Sequence, residues 1–242
     1  MNTKFLFQFA IAGLVALCLS LTARAEDKVV ATVNNLPVSA EEYRLVMSRQ
    51  APQVFSYFNQ TQGLEDHRGY WSETSGPDGP LAKLREEVAK ELVRVKVYQG
   101  QAKSRGLLAN PDFAAFQTSF TQENARRKAA KQAGQVVYGP PQYDLTTYYY
   151  IRLADIVYQV EHAIAAEIAP TVTEAAIKEF YLKNKTEIGD KPLEEVQTAI
   201  REALSLQVAR EQLAALRAGA IINVIEAELR PLVPRIDEIS AN

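Results

Sequence analysis

The chain has 242 residues, of which 47% are hydrophobic and 23% charged, and its formal net charge at pH 7 is −2. This is an ordinary globular composition, long enough for one sizeable domain or two small ones. The slightly acidic balance argues against a general nucleic-acid binder, which needs a basic surface.

The first 25 residues have the pattern of a cleavable secretory signal peptide. Lys4 is the only charge before an apolar run over residues 5–21, and Ala-Arg-Ala at 23–25 places small residues where a signal peptidase recognises them. The most apolar part of this run is shorter than the roughly 20 residues of a membrane-spanning helix. We therefore expect export to a periplasmic or other extracytoplasmic compartment, cleavage after Ala25, and no stable membrane insertion of the mature chain.

Cleavage would also change the chemistry available to the chain. Removal of Lys4 and Arg24 leaves 25 basic and 29 acidic residues, a formal charge of −4. Cys18, the only cysteine, would leave with the signal peptide, so the mature chain has no thiol for a disulfide, a metal site or a nucleophile. Lipid attachment at Cys18 is disfavoured because Leu17 precedes it, where a small residue is expected.

The mature chain opens with a predicted strand and a capped helix. Residues 28–33 are rich in β-branched side chains and precede a turn-prone Asn-Asn pair at 34–35. Ser39 has Glu42 three residues further on, which is the spacing of a capping box. The helix that begins there is expected to end near residue 50, because a proline stands at position 52.

Further helices are predicted by apolar residues spaced three to four apart. The clearest runs over about 81–105, after an aromatic-rich stretch at 53–80 that predicts a short helix and an irregular loop. The others are expected to begin at Asn110, at Asp144, at Thr171 or Thr173, and at Pro192.

A second strand is predicted at 220–225, pairing with residues 28–33. The expected fold is therefore mainly α, with a short two-stranded ribbon that joins the N- and C-terminal strands. Residues 226–242 are charged and carry two prolines, so we expect a helical fragment or a frayed tail.

Several segments resemble extracytoplasmic foldases of the SurA and PrsA type. The strand, turn and capped helix over 29–43 resemble the opening of these proteins. The further matching segments are Tyr-Trp-Ser-Glu at 70–73, Glu-Leu-Val-Arg-Val-Lys at 91–96, Val-Thr-Glu-Ala-Ala-Ile-Lys-Glu-Phe-Tyr at 172–181 and Pro-Leu-Glu-Glu-Val at 192–196. The resemblance implies a SurA-like helical chaperone domain over 26–225 that binds unfolded or partly folded exported or outer-membrane polypeptides, followed by a tail at 226–242.

In this family a parvulin-type prolyl isomerase is often inserted before the last long helix. Here only residues 185–191 stand at that place, and seven residues cannot hold a domain of about 100. We therefore expect no enzymatic activity and no cofactor or metal. Two alternatives stay open: a dedicated scaffold subunit of an export or surface-biogenesis system, and a divergent peptidyl-prolyl isomerase.

Other chemistry-bearing residues are sparse. The mature chain has two histidines, His67 and His162, and no nucleophile, phosphate-binding or metal-binding motif. Acid pairs at 41–42, 86–87 and 194–195 lie near predicted helix starts, where acids favour the helix dipole and face solvent. The basic residues between 126 and 131 could contact an acidic partner or form a solvated helix end.

Aromatic residues are the candidates for peptide binding. Tyr148, Tyr149 and Tyr150 are consecutive on a helix, where successive positions differ by about 100°, so at least one is expected to be exposed. Rigid amphipathic rings suit a groove for unfolded chains, although a packed helix with surface hydroxyls explains them equally well. The full candidate set is Tyr57, Phe58, Trp71, Tyr148, Tyr149 and Tyr150. Phe113, Phe116 and Phe120 share one helix face and are expected in the core.

Overall fold

A computed structural model describes residues 28–234 except 66, 68, 74 and 75. The predicted signal peptide at 1–25 and the end of the predicted tail, 235–242, lie outside the described residues. The helices are α1 (Ala40–Gln62), α2 (Tyr70–Glu73), α3 (Pro80–Ser104), α4 (Phe113–Gln132), α5 (Leu145–Ile168), α6 (Glu174–Lys183), α7 (Lys185–Ile188), α8 (Leu193–Ala218) and α9 (Glu226–Leu229). The strands are β1 (Val29–Val33), β2 (Leu36–Ser39) and β3 (Ile222–Val224).

The mainly α prediction is confirmed, and three of the predicted helix caps are present. The start predicted at Asn110 was wrong, because α4 begins at Phe113 without a side-chain cap. The side chains of Ser39, Asp144 and Thr173 each accept a hydrogen bond from the backbone N–H three residues further on, at 3.1, 2.8 and 3.2 Å. These bonds satisfy amide groups that have no partner within the helix. The sequence therefore located the starts of α1, α5 and α6 correctly.

The first helix is longer than predicted, because it continues through Pro52 to Gln62. A proline inside a helix removes one hydrogen bond and crowds the preceding turn. Residues beyond it are nevertheless well buried: Ala51 is fully buried, and Val54 and Phe58 are 4% and 2% exposed. Their burial in the core offsets the local penalty of the proline, which the sequence pattern alone could not show.

The predicted ribbon has a third strand. β1 pairs antiparallel with β3, as expected, and also with β2, so that the sheet order is β2-β1-β3. Asn34 and Asn35 both have positive φ, 47° and 66°, as a two-residue hairpin turn requires. Pro37 is tolerated in β2 because this strand lies at the sheet edge.

The C-terminal residues pack on the body, so the predicted boundary after residue 225 was too early. Leu229 and Leu232 are 5% and 3% exposed and belong to the main core cluster. The Lys28 ammonium lies 3.0 Å from the Glu228 carboxylate, which ties α9 to the start of β1. Residues 226–234 therefore form a helical fragment joined to the domain.

The fold has a body and an arm. In the body, the sheet, α1, α3, α5 and the second half of α8 enclose two adjoining apolar clusters. In the arm, formed by α6, α7 and the first half of α8, Ile177, Tyr181 and Ile200 make a separate small core. α8 is continuous from the arm into the body, where Arg210 donates to Glu161 of α5 at 2.8 Å.

Candidate functional site

Each of the three consecutive tyrosines of α5 has its ring covered by a different part of the protein. This corrects the expectation that at least one ring is exposed. Tyr148 and Tyr149 are 8% and 4% exposed, and Tyr150 is half-buried. The Arg49 guanidinium of α1 lies 5.0 Å from the centre of the Tyr150 ring. Because α4, the core and α1 each cover one of these rings, the three do not form an open peptide-binding surface.

The other three candidate aromatics lie at the end of α1 and in α2. Phe58 and Trp71 are 2% and 4% exposed, so they are core residues. Tyr57 is 51% exposed and packs edge-on against Phe58, with ring centres 5.2 Å apart. Tyr57 is thus the one member of the predicted set with a well-exposed side chain.

A cavity of about 260 Å³ opens between the end of α3, the start of α4 and α5. We call it the aromatic cavity. It is lined by Gln99, Leu108, Ala109, Asn110, Pro111, Asp112, Ala115, Phe116, Ser119, Tyr149, Arg152, Leu153 and Ile156. The lining therefore combines aromatic and aliphatic walls with a few polar groups, which is the usual make-up of a ligand pocket.

Ring packing between α4 and α5 builds the aromatic wall. The Phe116 ring lies 5.5 Å from that of Tyr148 and meets Tyr149 edge-on at 5.1 Å. Phe113 extends the cluster toward the core, with its ring 5.4 Å from Phe116. The phenylalanines predicted to lie in the core thus pack between α4 and α5, and Phe116 also lines the cavity.

One polar group in the cavity wall has no protein partner. Gln99 is 8% exposed, and its Oε1 atom makes no hydrogen bond to any residue that the structure describes. A buried acceptor without a partner carries a desolvation penalty of about 1–3 kcal/mol. A ligand that supplied an N–H or O–H donor would remove that penalty, so the cavity favours a polar group beside an apolar one.

Beneath the cavity lies a buried charged pair. The Lys96 ammonium is 2.7 Å from Oε2 of Glu42, and both side chains are 1% exposed. Tyr149 donates a hydrogen bond to Oε1 of the same carboxylate at 2.8 Å. Burial and the adjacent Glu42 carboxylate raise the pKa of Tyr149 well above its usual value, which keeps the phenol protonated as a donor.

Glu42 corrects the expectation that the acid pairs face solvent. Its backbone N–H completes the cap on Ser39, but its carboxylate turns into the core instead of returning to the start of the helix. By contrast, Glu86 and Glu87 lie at the surface, as expected, and they pair with Lys83 and Lys90. Burial of Glu42 is possible because Lys96 and Tyr149 satisfy its charge.

Sequence reasoning missed Gln99 and Lys96, although both stand beside the apolar stripe of α3. Polar residues this close to such a stripe signal partial burial, but helical spacing cannot reveal which helix will face them. Lys96 pairs with Glu42 of α1, whereas Gln99 lines the cavity. Which of the two residues is paired and which lines the cavity is decided only by how α3 packs against its neighbouring helices.

Comparisons with protein-family models, curated proteins and solved structures find no match to this chain. The resemblance to extracytoplasmic foldases therefore rests on the sequence segments quoted above. Within residues 28–234, apart from the four undescribed positions, no helix is long and apolar enough to cross a bilayer. Over the same residues, no group of three or more His, Cys, Asp or Glu side chains is placed to hold a metal ion.

Proposed function

We propose that this chain is an extracytoplasmic, chaperone-like protein that binds unfolded or partly folded exported polypeptides without isomerase activity. The observation that carries the proposal is the aromatic cavity, in which the unpartnered Gln99 carbonyl adjoins apolar walls. Every residue of a polypeptide with an apolar side chain, except proline, offers both matching groups, a backbone N–H and that side chain. The signal-peptide pattern and the foldase resemblance support the same proposal from the sequence.

In this proposal, an apolar side chain of the client enters between Phe116 and Leu153. The client backbone N–H donates to Oε1 of Gln99. One such contact is weak and largely independent of sequence, as promiscuous recognition requires. Neither ATP nor a metal is needed.

The first test is suppression of aggregation. Purified protein should keep chemically unfolded secreted proteins in solution and should bind fluorescently labelled, apolar-rich peptides. Failure of both measurements, with a folded protein verified by circular dichroism, would reject the proposal.

The second test fills the cavity. Ala115 lines it and is half-buried, whereas its neighbour Ala114 is exposed on the outer face of α4. We expect Ala115→Trp to weaken peptide binding at least about tenfold, because the indole occupies the space of the client side chain. Ala114→Trp, the matched control, should bind as the unchanged protein does; equal binding by both variants would place the client elsewhere.

Two further measurements separate the alternatives. Affinity purification from the native host should recover many unrelated exported clients, whereas one stoichiometric partner would favour the scaffold role. A proline-isomerisation assay on a short peptide should show no rate above the uncatalysed one. A rate increase abolished by Ala115→Trp would instead favour the isomerase alternative.

A further inference from the structure

The connection between α4 and α5 displays two apolar side chains at its tip. Tyr138 and Val136 are 86% and 79% exposed, the two highest values among the large hydrophobic residues that the structure describes. Apolar side chains that stay in water contribute no burial free energy to the stability of this fold. We call residues 128–143 the hairpin tip.

The hairpin tip is held in place by a buried arginine. Arg127 is 4% exposed, and its guanidinium donates to the backbone carbonyls of Tyr138 and Pro140, the latter at 2.6 and 3.0 Å. The same guanidinium lies 4.3 Å from the centre of the Tyr143 ring. The planar arginine fork suits two carbonyls at once, so it fixes the loop just behind the exposed residues.

A second clamp closes the base of the loop. The Asn124 side chain accepts from the Tyr143 N–H at 2.9 Å and donates to the Tyr143 carbonyl at 3.0 Å. Together with the arginine, this amide makes the loop a defined structure rather than an open connection. The exposure of Val136 and Tyr138 is therefore built into the fold.

The charged residues of the hairpin tip are both basic. Between positions 128 and 143 the sequence contains Lys128 and Lys131 and no acidic residue. Both lysines lie at the end of α4 and are exposed, while the adjacent Arg126 is paired with Glu123 at 2.7 Å. The hairpin tip is therefore positively charged, although the net charge of the whole chain is −2.

We propose that the hairpin tip docks on an anionic lipid bilayer, with Val136 and Tyr138 in the headgroup region and Lys128 and Lys131 against the lipid phosphates. Charge complementarity selects this occupant, because clustered lysines flanking exposed apolar side chains match an anionic membrane surface. Tyrosine suits the membrane interface, where one end of its ring is apolar and the other is hydrated. A stable protein interface needs about 800 Å² per partner, far more than two side chains provide.

The docking would leave the aromatic cavity free. The residues of α4 that line the cavity end at Ser119, whereas the hairpin tip begins at Lys128, about two and a half turns further along the same helix. This proposal does not depend on peptide binding. A variant of the tip should therefore retain the binding properties of the cavity, whatever its ligand.

The test places an environment-sensitive fluorophore at the tip of the full chain. In a Cys18→Ser background, Val136→Cys is labelled with a nitrobenzoxadiazole probe and mixed with vesicles of phosphatidylcholine with or without phosphatidylglycerol. We expect a blue shift and a severalfold rise in emission with the anionic vesicles alone, reversed in about 1 M salt, where the Debye length is about 3 Å. The same probe at Tyr158→Cys, an exposed site along α5, should not respond.

Charge variants complete the test. Lys128→Glu with Lys131→Glu should weaken the response of the tip probe by more than about tenfold. Lys178→Glu with Lys183→Glu makes the same charge change on exposed residues of α6 and should leave it unchanged. No response at position 136, an equal response at 158, or an equal response on neutral vesicles would overturn the proposal. Comparing two probe sites also separates tip docking from membrane binding by the apolar run at residues 5–21.

Discussion

Glu42 and Lys96 form the most completely buried charged pair described in this protein. Two charges taken out of water are expensive, and their attraction repays this only when the geometry is good. Here the hydroxyl of Tyr149 adds a third contact to the carboxylate. The three residues link α3, α1 and α5, so the pair fixes how these helices meet.

Lys96→Met should therefore destabilise the protein strongly. The methionine is close to lysine in size but leaves the Glu42 carboxylate buried without a counter-ion, for which about 3–5 kcal/mol of unfolding free energy is expected. Urea unfolding followed by circular dichroism measures the loss.

The double variant Glu42→Gln with Lys96→Met is the control. It removes both charges and should recover part of the stability that Lys96→Met loses. If the single and double variants were equally unstable, the loss would come from packing and not from an unpaired charge.

Arg127 and Arg126 are neighbours in the predicted basic cluster, yet they have different roles. Arg127→Ala should lower the unfolding free energy by about 1–3 kcal/mol, because it leaves the carbonyls of Tyr138 and Pro140 without their buried donor. Hydrogen exchange over 134–142 should become faster. Arg126→Ala, which removes only an exposed pair with Glu123, should leave the unfolding free energy nearly unchanged. Similar losses in both variants would contradict the role of Arg127 as a clamp.

At the level of elements, the C-terminal segment was predicted to be a helical fragment or a frayed tail, and the structure shows a helical fragment packed on the core. Leu229→Ala should destabilise the protein by about 2–5 kcal/mol, because it opens a cavity in the main core. Val233→Ala changes a 42% exposed residue four positions later and should have little effect. Thermal unfolding of both variants checks this, and a Leu229→Ala variant as stable as Val233→Ala would restore the tail interpretation.

Three helix starts were predictable because a cap is a local interaction. Ser39, Asp144 and Thr173 satisfy amide groups only three residues away, so their spacing in the sequence is sufficient. The continuation of α1 through Pro52 was not predictable, since residues distant in sequence bury the turns beyond the proline. The hairpin of β1 and β2 was predicted only in part, because its Asn-Asn turn was recognised but its second strand was not.

For the whole molecule, buried tyrosines predict a loss of stability at high pH. Burial raises the pKa of Tyr43 to about 12, and burial with a hydrogen bond to Glu161 raises that of Tyr98 to about 12. Burial also raises the pKa values of Tyr149 and Tyr150. An unfolded tyrosine has a pKa near 10, so this contribution is complete below about pH 10 and is lost as the pH rises toward the folded values.

Urea unfolding near pH 9 and near pH 11 tests this dependence. The unfolding free energy should be lower at the higher pH, and Tyr98→Phe should show a smaller decrease than the unchanged protein, because it removes one of the titrating groups. Equal stability at the two pH values would contradict the burial of these phenols.

The sequence alone determined the helical class, the caps and the pairing of the terminal strands, because these depend on periodicity and on contacts a few residues apart. It also supplied the export pattern and the foldase resemblance on which the proposed function rests. Only the tertiary structure decided which aromatic residues are buried, where the cavity lies and which arginine is a clamp. Those properties arise where α1, α3, α4 and α5 meet, and helical spacing gives the face of each helix but not the neighbour that covers it.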